Sequence, residues 1–174
     1  MPPALDDIEQ LDCCKLLGVI FQSNFKMDSH IEFILSQCAQ RMYLLKLLRH
    51  QGLPDAQLSV VAYAVIISRL LYALPAWGGF LSIELVNRID VFLRRLQRFG
   101  YIRCRLTVAE LMDKSDRELF CKLYAPTHAL NHLLPPTRNN ICLRARGHCY
   151  QLPEYSTNLH KKSFVTRCLY SFVK

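Results

Sequence analysis

Little in this chain matches the usual signatures of a catalyst. It has only six glycines in 174 residues, and they do not gather into the loop that cradles phosphates. There is no GxSxG elbow and no HExxH pair. Its eight cysteines include no CxxC pair. Cys142, His148, Cys149, His160 and Cys168 match no common zinc spacing. The six histidines are scattered and carry no local Cys–His nucleophile signature. No charged stretch, apolar core and small-residue cleavage site stand at the start. A reducing, intracellular compartment, nuclear or cytoplasmic, is therefore expected, with thiols such as Cys38 and Cys121 acting as small buried hydrophobes.

Adjacent carboxylates can hold the metal ions of nucleotidyl transfer, which draws attention to Asp6 and Asp7. The flanking Met1, Pro2, Pro3 and Ala4 are unsuited to the rigid strand such a pair needs, so these acids read as a solvated leader. The expectation is a chain with no catalytic residue, no metal and no cofactor. Long apolar runs are also scarce. The one membrane candidate, residues 60–81, carries Arg69 near its centre and is broken by Pro75, Gly78 and Gly79. A buried core helix followed by a Pro-Gly break accounts for it more simply.

What is present is enough to fold. Hydrophobic residues make up 51% and charged residues 21%, ordinary values for a globular chain with one core. Lysine and arginine outnumber the acids 22 to 14, for a net charge of +8. Residues 1–35 hold six acids against Lys15 and Lys26, a balance of −4, which leaves +12 for the rest. A positive field of that density attracts nucleic acid, an anionic membrane or an acidic protein.

Periodicity predicts a mainly α fold: a small helical bundle preceded by a short β-strand or hairpin and followed by an irregular C-terminal tail. The stretch 14–25, with the turn letters Ser23 and Asn24 near its end, reads as the strand or hairpin, Gly18 permitting a bend or a close backbone approach. Ser29 and Glu32 form a capping-box pattern, and Ile31, Ile34, Leu35, Cys38, Met42 and Leu45 then recur at the helical period until Gly52 supplies a left-handed stop. Pro54 suits the first position of a second helix, apolar on most sides, running to about Tyr72. A third helix is expected from Ser82 to Phe99. Its Leu85, Ile89, Phe92, Leu96 and Phe99 fall within about 80° of arc, beside Arg88, Arg94, Arg95 and Arg98 over roughly another 120°. Four arginines without a compensating acid on that face suggest a polyanion. Thr107 with Glu110, and Ser115 with Glu118, predict two short helices or one broken helix over 107–125. Pro126, Pro135 and Pro136 punctuate the stretch beyond it, and short strands or a short terminal helix are expected toward the C-terminus. Three regions result: 1–27 as leader and hairpin, 28–125 as the helical domain, and 126–174 as a basic tail.

The succession LLGVIFQSNFKMDSHIEFI, CAQRMYLLKLLRHQGL and SRLLYALPAWGG resembles the region after the palm of LINE-type, non-LTR retrotransposon reverse transcriptases. The matching positions are Leu16, Leu17, Gly18, Val19, His30, Ile31, Tyr72, Ala73, Pro75 and Trp77. The tail resembles the pattern LRxRxHxYxLP followed by KxSF, at Leu143, Arg144, Arg146, His148, Tyr150, Leu152, Pro153, Lys161, Ser163 and Phe164. The resemblance implies a hairpin closing the palm and a thumb that grips template and primer, with the catalytic aspartates in an upstream Y/F-x-D-D hairpin outside these residues.

Together with the charges, this gives a set of expectations. Arg41, Lys46, Arg49, Arg88, Arg94, Arg95 and Arg98 contact phosphates with little base reading, while Trp77 and Tyr72 pack the core. Arg144, Arg146, Lys161 and Lys162 either extend the footprint or decorate a surface. The expected partners are an RNA or DNA template-primer and the parent palm, with no membrane and no small-molecule substrate. The alternatives are a helical module binding an acidic protein partner, and a remnant without function.

Overall fold

The computed structural model describes residues 11–137 and 149–172. Asp6, Asp7, Cys142, Arg144, Arg146 and His148 lie outside them. The described chain is mainly helical with one small hairpin, in the order β1 (Cys13–Leu16), β2 (Val19–Gln22), α1 (Asp28–His50), α2 (Asp55–Ala62), a π-helical turn (Tyr63–Ile67), α3 (Ser68–Leu71), α4 (Leu74–Trp77), a 3-10 turn (Gly78–Phe80), α5 (Ile83–Arg98), α6 (Val108–Leu123), a 3-10 turn (Asn131–Leu133), α7 (Asn158–Lys162) and α8 (Phe164–Ser171). Two compact units emerge, one from residues 1–70 and 81–105, the other from 71–80 and 106–174. They cut across the three regions read from the sequence.

In the first unit β1 and β2 pair antiparallel, with Leu16 opposite Val19. Leu17 and Gly18 at the corner both have positive φ, 47° and 86°, as a two-residue type I′ turn requires. The hairpin is anchored through buried Val19 and Met27, and through His30, whose Nδ1 accepts the Ile20 N–H at 3.3 Å. The Ser29–Glu32 box does not form. The N-cap is Met27, two residues before Ser29, the helix begins at Asp28, and no side chain caps it. Met27 is fully buried, so packing fixes this helix start in place of a polar cap.

Ile31, Ile34, Cys38, Met42 and Leu45 of α1 are buried as the period predicts. The helix ends in a Schellman arrangement: Gly52 at φ +90° allows Leu53 N–H to reach the Leu48 carbonyl. Pro54 is the N-cap of α2, one position before the expected one. From α2 onward Leu58, Ala62, Ile66, Ile67 and Leu70 are buried, while Arg69 is exposed. The stretch Asp55–Phe80 is long and apolar enough to cross a membrane by length and composition. Only 33% of its most apolar window is buried: α1 packs against α2 and against the π turn, but Val60, Tyr63, Leu71 and Tyr72 are exposed, so the stretch is less enclosed than the central core helix expected from its sequence. α5 starts at the Ser82 cap, whose Oγ accepts the Leu85 N–H. Leu85, Ile89, Phe92, Leu93 and Leu96 complete this core.

Burial keeps the His30 ring neutral, with its pKa lowered by desolvation. The folded state then binds fewer protons than the unfolded chain, whose histidine titrates near 6.5. Its contribution is full above that pH and is lost as pH falls through it toward the folded value, with a slope of at most about 1.4 kcal/mol per pH unit. Urea melts at pH 7.5 and 5.5 should show this loss, and His30→Gln should reduce the difference.

In the second unit Thr107 and Glu110 form the reciprocal capping box predicted for them. The second start at Ser115 does not exist, because α6 is one unbroken helix from Val108 to Leu123. Val108, Leu111, Phe120 and Leu123 hold it to a core on both sides of Ser115. The tail contributes the short terminal helix α8, whose buried Cys168 and Leu169 join Phe120 in a cluster with Leu134, Tyr150, Leu152 and Phe164 around it. A single bridge pairs Thr137 with Tyr150.

Asp116 and Arg167 form an ion pair within this unit. Arg167 donates from Nε and Nη2 to the two Asp116 carboxylate oxygens, each at 2.9 Å. It also donates to the carbonyls of Lys162 at 2.7 Å and Pro75 at 3.1 Å. Gly79 permits this approach, since a Cβ there would meet Arg167 Nη1 at 2.0 Å and the Lys162 carbonyl oxygen at 2.3 Å. Gly79→Ala should therefore destabilise the unit by about 1–3 kcal/mol, measured by urea denaturation.

Candidate nucleic-acid interface

The seven cations singled out in the sequence divide into two groups. Arg41 and Arg49 turn inward. The π turn shifts the hydrogen-bond ladder and frees a carbonyl, and Arg41 Nη1 donates to the carbonyl of Val65 at 2.6 Å. Arg49 serves the end of α5. Its Nη1 donates to the Phe99 carbonyl at 2.7 Å, one of the groups a helix terminus leaves unsatisfied. Its Nη2 pairs with Asp55 at 3.1 Å, and its guanidinium lies 4.4 Å from the centroid of the buried Tyr101 ring. Both arginines thus have structural partners within their own unit.

The other five are exposed. α5 presents Arg88, Arg94, Arg95 and Arg98 beside its buried stripe, and none of the four takes part in a salt bridge among the described residues. The face is not free of acid, contrary to the sequence reading. Glu84 precedes Arg88 by four residues and is exposed on the same arc. A concave surface on α5 is lined, among the described residues, by Val91, Arg94, Arg95 and Arg98. Lys46 of α1 reaches the same end of the unit, its Nζ 5.2 Å from the centroid of Phe99, with the Arg98 guanidinium 5.7 Å from that ring. Phe99 is the one member of the predicted stripe that is not buried. Gly100, at φ +73°, ends the helix there and turns the chain so that Tyr101 and Ile102 are buried instead.

Sequence reasoning passed over Arg103 and Arg105, both exposed in the segment after α5. The alternation Arg-Cys-Arg was the available signal. Trp77 is buried, as expected, and donates its indole N–H to the Tyr72 carbonyl at 2.9 Å. The Tyr72 side chain is 55% exposed and does not pack the core with it. Its backbone carbonyl accepts the indole N–H, and Ala73 follows at φ 51°. Lys161 and Lys162 are exposed on α7 in the second unit.

The thiols are of two kinds. Burial pushes Cys38 up to about 11 and Cys168 up to about 12, so both stay protonated at neutral pH and act as core fillers. Cys121, expected to be buried, is exposed. Among the described residues no group of three or more His, Cys, Asp or Glu side chains is placed to hold a metal ion.

Comparison with known proteins finds no family model, no curated protein and no solved structure that matches the chain.

Proposed function

We propose that this chain is a non-catalytic nucleic-acid-binding segment of the retrotransposon reverse transcriptase type, gripping the backbone of template and primer. One observation carries the reading: Arg88, Arg94, Arg95 and Arg98 lie exposed on one arc of α5 and take part in no salt bridge among the described residues. Guanidinium groups arrayed along a rigid helix suit phosphate oxygens, which accept their planar donor pairs. Lys46, beside Phe99, extends the array. Arg41 and Arg49 support the helices that carry the grip and are not part of its contact surface. Such contacts fix position on a duplex and read little sequence.

The test is a titration of the whole chain with a primer-template duplex across a salt series. Four to five neutralised phosphates give a slope of log affinity on log salt of about −3 to −5. Affinity that stays flat with salt overturns the reading. So does template-directed nucleotide incorporation by the chain alone, which would place catalytic carboxylates within it.

A further inference from the structure

Between α1 and α5 runs a groove of about 440 Å³ lined by Leu35, Ala39, Asn87, Arg88, Val91, Phe92 and Arg95. That volume lies within the range of ordinary ligand sites. Its lining is not that of a phosphate track. Leu35 and Ala39 come from α1, Val91 and Phe92 from α5, and together they make an apolar floor. Val91 is 54% exposed, a branched side chain left in water on a helix whose neighbouring apolar residues are buried. Arg88 and Arg95 stand one on each side of Val91 along α5, so the floor is flanked by cations along that helix. A polynucleotide backbone would satisfy the arginines and leave the floor wet. A helix with an apolar stripe and acidic flanks satisfies both.

We infer that this groove is a docking site for an acidic amphipathic helix of a protein partner, with apolar side chains spaced i and i+4 on Leu35, Ala39, Val91 and Phe92 and carboxylates on Arg88 and Arg95. Charge complementarity selects this occupant over a neutral or basic helix, and the apolar floor selects it over nucleic acid. Arg88 and Arg95 belong both to this groove and to the phosphate grip, so a docked helix and a duplex compete for them.

The experiment uses the full chain and a fluorescein-labelled synthetic helix with leucines at i, i+3, i+4 and i+7 and glutamates at the remaining positions. Its control is a scrambled peptide of the same composition without the stripe. The striped peptide is expected to bind at least about tenfold more tightly than the scrambled one. Ala39→Trp, which fills the groove from an exposed position, and Leu35→Gln, which makes its floor polar, both lie on α1 away from the surface formed by Arg94, Arg95 and Arg98, and each is expected to abolish that preference while leaving duplex affinity and its salt slope unchanged. Equal binding of the two peptides overturns the inference by reducing the site to bare charge, and so does an undiminished preference in both variants. Loss of duplex binding in the unmodified chain bears on the phosphate grip alone, because the peptide measurement contains no nucleic acid.

Discussion

Replacing Arg88, Arg94, Arg95 and Arg98 together by glutamine should remove most of the salt dependence of duplex binding. Four neutralised phosphates at about 0.9 each give a slope near −3.6, so the unmodified chain loses about 10²-fold in affinity between roughly 50 and 200 mM salt. The fourfold variant should lose only a few fold over the same interval, and its affinity at low salt should already be weak. All four side chains are exposed, and glutamine has nearly the helix propensity of arginine, so the variant folds. Arg41→Gln and Arg49→Gln make the contrast. Each strips a donor from a carbonyl inside the first unit, so the expected effect is a loss of stability with the salt slope preserved. Fluorescence anisotropy across the salt series, with urea melts of each variant, separates the two classes.

Asp116→Ala should cost about 3–5 kcal/mol, because it leaves the buried Arg167 guanidinium without its counter-charge. The side chains of Asp116 and Arg167 are only 7% and 14% exposed, so water does little to compensate. Arg167→Met should be comparably damaging, and not only through the lost ion pair. The same guanidinium donates to the carbonyls of Lys162 and Pro75, and methionine can serve neither. The double variant Asp116→Ala with Arg167→Met removes both charges and should recover part of the loss, leaving a deficit from the two carbonyls. Urea denaturation of the four proteins forms the cycle, and a cost below about 1 kcal/mol for either single variant would contradict the role assigned to the pair.

The sequence made the skeleton legible where one helix reports on itself. The four-and-three spacing of Leu85, Ile89, Phe92 and Leu96, the Thr107–Glu110 box and the stop at Gly52 all depend on neighbours within a few residues. It failed where a distant group decides. Ser29 and Glu32 have the spacing of a good box, but burial of Met27 starts the helix two residues early. Ser115 and Glu118 form the same pattern, yet Val108, Leu111, Phe120 and Leu123 fasten the helix through them.

The candidate site obeyed the same rule. Helical angles separated the arginines of α5 from its apolar stripe, and exposure keeps them together as an array. Those angles gave no sign that Arg41 faces a π turn 24 residues on, or that Arg49 meets the end of α5 50 residues away. Arg167 read as one more basic residue in the tail because its acid lies 51 residues earlier. Leu17 and Gly18 make a turn, His30 anchors the hairpin, Trp77 fills the core and Gly79 allows a close approach, so each of these positions serves the fold.

The central claim is that the arginines of α5, and not those of α1, hold the phosphate backbone. Arginine modification by phenylglyoxal, read by mass spectrometry with and without a saturating primer-template duplex, tests it without altering the protein. The expected result is strong protection of Arg88, Arg94, Arg95 and Arg98 by the duplex, with Arg41 and Arg49 reacting slowly in both conditions. Undiminished reaction of the four α5 arginines in the bound complex would contradict the account.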